Sequence, residues 1–186
     1  MQQKVNQKMK QFKKTDQLKL YNVIFPIWFM LFIPPIIIIT LIGNFVIDSL
    51  VLIACFFLFE LAERISLKEF YTAGILKVWL FGFLADIAGA AILFVFGIFG
   101  NYLGLPHDLI SAIDFDPFSN PLAVVLILFA MLVSAALIFL LNYNITFKEQ
   151  IKEKNLRLKI ALTLALVTMP WTFLLPTKWF YYSSLW

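Results

Sequence analysis

"FGFLADIAGA", Phe81 to Ala90, sets one carboxylate, Asp86, inside a long apolar run. The run extends over roughly 76–100, and a bilayer core takes about 20 apolar residues per helix. Gly82, Ala85, Asp86, Gly89 and Ala90 fall at i, i+3, i+4, i+7 and i+8, which is one face of a helix. Small residues on such a face let a second helix approach closely. Asp86 stands about ten residues into the run, near mid-bilayer at about 1.5 Å of rise per residue. An ionised Asp there costs about 2.5–3.5 kcal/mol. The acid is therefore expected to face the bundle and not lipid.

The rest of the chain has the same character. It is 62% hydrophobic over 186 residues, with 21 Phe. Soluble domains are about 45–50% apolar, so lipid is the expected solvent and the fold class is an all-α polytopic membrane protein. Five spans are expected, at about 20–42, 44–63, 76–100, 121–142 and 159–182. Residues 1–19 form a basic cytoplasmic segment, 20–182 one transmembrane domain, and 183–186 a short external tail. The first break is placed at "IGNF", Ile42 to Phe45, because Gly and Asn favour turns. Pro34 and Pro35 are expected to kink the first span. The polar stretch "ERISLKEFYTAG" links the second and third spans, an external loop covers 101–120, and a cytoplasmic loop covers 143–158.

With the N-terminus inside and the C-terminus outside, fourteen of the fifteen basic residues fall on the cytoplasmic side, and Lys178 alone lies outside. The Lys-rich start precedes an apolar run too long for a signal peptide, so the first span is expected to remain as an anchor. The aromatic end "KWFYYSSLW" reads as an outer interfacial belt. The Lys-, Ile- and Phe-rich composition suggests a bacterial plasma membrane. The basic residues flank apolar runs and form no basic domain, so nucleic acid is not an expected partner.

Asp48 is the second intramembrane acid. "NFVIDS" places Asn44 and Asp48 one turn apart, and with the break at Ile42 to Phe45 Asp48 would lie about one turn below the outer surface. Asp86, Asp48 and Asn44 form the candidate ion- or substrate-binding set. Gly82, Ala85, Gly89 and Ala90 form the candidate helix-packing face.

Other motifs carry less. The one cysteine, Cys55, allows no disulfide within the chain and no Cys-based metal site. "FELAER" holds Glu60 and Arg64 at i and i+4, and superficially resembles the E-E-x-x-x-R motif of CPBP-type intramembrane proteases. Phe59 stands where the first Glu belongs, and the one His, His107, lies in the external loop, so no catalysis is expected. An ion pair between Glu60 and Arg64 is expected instead. "IDFDPF" sets Asp114 and Asp116 close together without a glycine-bearing calcium loop; no metal or cofactor is expected. In size the chain is similar to substrate-binding subunits of bacterial vitamin importers, but "FPIWFMLFIPP" lacks their A-x-x-x-A pattern.

Two functions stay open. One is a non-enzymatic accessory or interaction protein, its third span gripping another membrane protein or a second copy, with Asp86 structural. The other is a small transporter or substrate-binding subunit with Asp86 and Asp48 as carriers of a proton or cation. A water-accessible cavity at Asp86 favours the second; a dry, tightly packed Asp86 favours the first.

Overall fold

The computed structural model describes residues 26–30, 33–34 and 36–182. All regular elements among them are helical. They are α1 (Ile27–Met30), α2 (Ile36–Leu58), α3 (Leu67–Phe99), α4 (His107–Asp114), α5 (Pro121–Leu141), α6 (Lys154–Thr168) and α7 (Lys178–Tyr182). A π-helical turn, Asn142–Thr146, prolongs α5, and a 3-10 turn, Trp171–Leu174, follows α6. Four helical segments among the described residues are long and apolar enough to cross a membrane: Ile36–Leu58, Leu67–Phe99, Pro121–Thr146 and Lys154–Leu174. The protein is an all-α, polytopic membrane protein.

The expected break at Ile42 to Phe45 is not there. α2 runs through it without interruption. Turn propensities describe a chain in water, where a freed backbone group can bond to solvent. In hydrocarbon each unpaired N–H or C=O costs several kcal/mol, so the helical ladder holds through Gly43 and Asn44. The true start of α2 is set by proline: Pro34 stands in the turn before it, where a missing N–H costs nothing.

The expected span 20–42 lies partly outside the described residues. Its described part does not make one crossing. α1 is a single turn whose Ile27 N–H donates to Thr177 Oγ1 at 3.0 Å. Trp28 lies against Gly97, near the end of α3. Residues from Ile36 onward belong to α2.

α3 begins nine residues earlier than expected, inside the polar link. Ser66 caps it, accepting from the Glu69 N–H at 3.2 Å. At 33 residues α3 spans about 50 Å at 1.5 Å per residue, longer than a bilayer core of about 30 Å. The four long segments form a ring in which α3 packs on α2 and α5, and α6 closes the ring against α5 and α2. One end of the ring carries the α3–α5 loop with α4, α1 and α7 (the loop end). The other carries the short α2–α3 link and the α5–α6 connection (the link end), where Arg64 pairs with Glu153 and not with Glu60. Glu60 adopts a left-handed backbone conformation, φ 51°, where α2 gives way to the link.

α6 is not the continuous span to Tyr182 that the sequence suggested. It stops at Thr168, and Pro170 explains why. A proline has no N–H for the carbonyl four residues back. That carbonyl, Leu166, takes its hydrogen bond from the Trp171 indole instead, at 3.3 Å.

The small-residue face of α3 is buried within the chain. Gly82, Ala85, Gly89 and Ala90 are all buried. Gly89 faces Ser134, Ala130 and Phe173. The Ser134 hydroxyl donates to the Ala85 carbonyl at 2.8 Å. Gly82, two turns earlier on the same face, lies against Asp48 of α2 instead.

Candidate functional site

α2 and α3 run side by side, joined by a short link, and this brings their polar residues to one level. Asn44 Nδ2 donates to Asp86 Oδ2 at 3.1 Å. Asp86 Oδ1 is buried and has no hydrogen-bond partner. Asp48, one turn along α2 from Asn44, is 3% exposed. A Cβ on Gly82 would stand 3.5 Å from Asp48 Oδ2, so the carboxylate rests where α3 lacks a side chain. All three residues of the candidate set meet in one place.

The depth of Asp48 differs from the expectation. With α2 continuous, Asp48 is twelve residues from Ile36, about 18 Å from the loop end of the helix. Asp86 is thirteen residues from Phe99, about 20 Å. Both acids are deep in the membrane-spanning part, and neither is near an interface. The earlier placement followed from the assumed break.

Asn44, Asp48, Gly82 and Asp86 line a cavity of about 270 Å³. Its third wall comes from the broken end of α6, residues Val167 to Thr172. This wall was not foreseen. The signal was in the sequence: Pro170 followed by Trp171 in an apolar run marks backbone that cannot remain helical. Irregular backbone at membrane depth is tolerated where it lines a cavity or is buried in protein. Among the described residues no Lys, Arg or His lines the cavity. Ile47, Val167 and Trp171, also in its wall, are about half exposed, so the cavity opens sideways between α2 and α6.

The other acids do different work. Asp116 accepts from Lys178, tying the α4 region to α7. Asp114 lies against Gly97 of α3, its Oδ1 buried and without a hydrogen bond. Burial pushes the Asp114 carboxyl up to about 6. Asp114 and Asp116 thus turn to separate partners. Among the described residues no three His, Cys, Asp or Glu side chains gather as a metal site.

The chain matches no family model, and no curated protein or solved structure matches it.

Proposed function

We propose that this chain binds a positively charged solute, a proton or a cation, and passes it within the membrane. One observation carries the reading: two deep carboxylates share a cavity that, among the described residues, no basic side chain lines. Ionised acids at this depth are costly unless paired. A countercharge must therefore come from the occupant. The unwound end of α6 beside the acids is the kind of discontinuous helix from which transporters build midplane sites. By the same proposal the protein lies in a plasma membrane, bacterial by its composition. The link end, with Arg64, Lys68, Lys148 and Lys152, would then be cytoplasmic.

The structural reading of Asp86 rests on its bond to Asn44. It leaves Asp48 without a role, and it leaves the cavity unexplained. The small-residue face meant to grip a partner is already occupied by the chain's own α2 and α5.

The test is a proteoliposome assay. A pH gradient is imposed, sodium, potassium or alkylammonium chloride is added outside, and an entrapped dye reports proton movement. The wild type should dissipate the gradient on addition of a cation it accepts. Asp86→Asn and Asp48→Asn should not, while melting within a few degrees of wild type. Asp86 lines the cavity, so Asp86→Leu has room for its side chain and should also fold. An Asn variant as active as wild type would overturn the proposal, as would a wild type inert to every cation and to pH.

A further inference from the structure

We infer that the occupant of the cavity between α2, α3 and the broken end of α6 is a small organic ammonium ion with an apolar body. This rests on the reading of the cavity as a cation site and narrows its ligand class.

Size is the first reason. A cavity of about 270 Å³ is far larger than the roughly 30 Å³ that one water occupies in the liquid, so a bare metal ion would leave most of it unfilled. It also falls just below the roughly 300–1,000 Å³ typical of drug-sized ligands. A molecule of about ten non-hydrogen atoms or fewer suits it.

The chemistry of the walls is the second. An ammonium group has three N–H donors in a compact head. The cavity has both of its carboxylates, Asp86 and the buried Asp48, on the α2–α3 side, with the hydroxyl of Thr40. Hard metal ions such as calcium take six to eight oxygens around them, and the opposite side of this cavity adds only the hydroxyls of Thr168 and Thr172 to its apolar side chains. It presents Val167, Met169, Pro170 and Trp171. An indole face is the preferred aromatic partner of an ammonium ion, and the alkyl wall accepts an apolar body.

Access is the third. The exposed wall residues Ile47, Val167 and Trp171 place the opening on the flank of the ring, which in a membrane faces hydrocarbon. A hydrated metal ion does not approach from there. An amphiphilic amine, partitioned into the bilayer, does.

The experiment is thermal unfolding of the full chain in detergent at constant pH and ionic strength, with four probes: benzylammonium chloride, sodium chloride, potassium chloride and neutral benzyl alcohol. Benzylammonium at 100-fold excess over its Kd should raise Tm by about 5 °C or more. The shift should vanish in Asp86→Asn and in Asp48→Asn. Ile47→Trp, a substitution on the lipid-facing wall, should reduce it without lowering the Tm of the free protein. Benzyl alcohol should give no shift. Equal shifts from benzyl alcohol and benzylammonium, or a benzylammonium shift that survives both Asn variants, would overturn the inference. A shift from sodium or potassium alone, lost in the Asn variants, would overturn it and leave the cation reading standing. No shift from any of the three cations would count against both.

Discussion

Two levels of α3, one around Gly89 and one around Gly82, are built on opposite terms. Toward α5, Gly89 and Ala85 bring the backbones together, and Ser134 fills the contact, its hydroxyl bonding the Ala85 carbonyl at 2.8 Å and the Ala130 carbonyl at 3.3 Å. Toward α2 and α6 the same helix leaves a cavity, and Asp86 keeps one oxygen without a partner. Small residues appear at both levels, seven positions and two turns apart on one face, with different consequences. At Gly89 the missing side chain is space already taken. At Gly82 it is space held open beside Asp48. A stripe of small residues in an apolar helix thus reports close packing only where a partner helix fills it.

The largest expected effect breaks this contrast directly. A Cβ at Gly89 would collide with Ser134 Oγ and press on Phe173 at 3.1 Å and the Ala130 carbonyl at 3.2 Å. Gly89→Ala should therefore destabilise by about 1–3 kcal/mol, as overpacking does, despite the helix propensity it gains. Gly82→Ala meets only Asp48 Oδ2, at an ordinary 3.5 Å. It should be neutral or stabilising by up to about 1 kcal/mol, since Ala is the better helix former. Melting temperatures of the two variants in one detergent decide the matter. If both fall alike, the two levels of α3 are equally tight and the cavity is not open space. Ser134→Ala should restore part of the loss in Gly89→Ala and do nothing for Gly82→Ala.

How much of this was legible in the sequence follows from the same residues. Hydropathy and basic flanks gave the membrane class, and the spacing of Gly82, Ala85, Gly89 and Ala90 gave a buried face. The intramembrane acids were visible because charge is costly there, and Asn44, Asp48 and Asp86 do meet. What failed was punctuation. Gly43 and Asn44 read as a turn by their behaviour in water, yet hydrocarbon enforces the helix. The span expected over 159–182 runs through Pro170, yet Pro170 ends α6 and makes a wall of the cavity. Arg64 was paired with its neighbour at i−4, and the fold offered it Glu153, 89 residues away. Each miss came from a local rule overruled by solvent or by tertiary contact.

A second, smaller effect separates the loop end from the cavity. Burial against Gly97 raises the Asp114 carboxyl from 3.8 to about 6. A raised acid binds its proton more tightly in the folded state, so its contribution is full below about 4 and is lost as pH rises through 6. Asp114→Asn removes that titration. The stability of the variant relative to wild type should increase from about pH 4 and level off above 6. Denaturation at several pH values measures the gap, and a gap that does not change with pH would show that Asp114 is as well hydrated as Asp116, its salt-bridged neighbour.

The smallest effect belongs to the link end, where water returns. Arg64 and Glu153 form an ion pair with both side chains about half exposed. In that setting Coulomb attraction is weak, and two long side chains lose freedom to hold one geometry. Exposed pairs contribute about 0–1 kcal/mol. A double-mutant cycle of Arg64→Gln and Glu153→Gln should give a coupling in that range, shrinking further between 0.05 and 0.5 M salt because exposed charges are screened. The matching cycle of Asn44→Ala and Asp86→Leu tests a hydrogen bond shielded from salt. Interhelical bonds in membranes average about 0.6 kcal/mol, so the two couplings should be similar in size and differ in salt dependence. Equal salt sensitivity would mean that ions reach Asp86 freely, and the cavity would then be an open aqueous vestibule and not a pocket facing hydrocarbon.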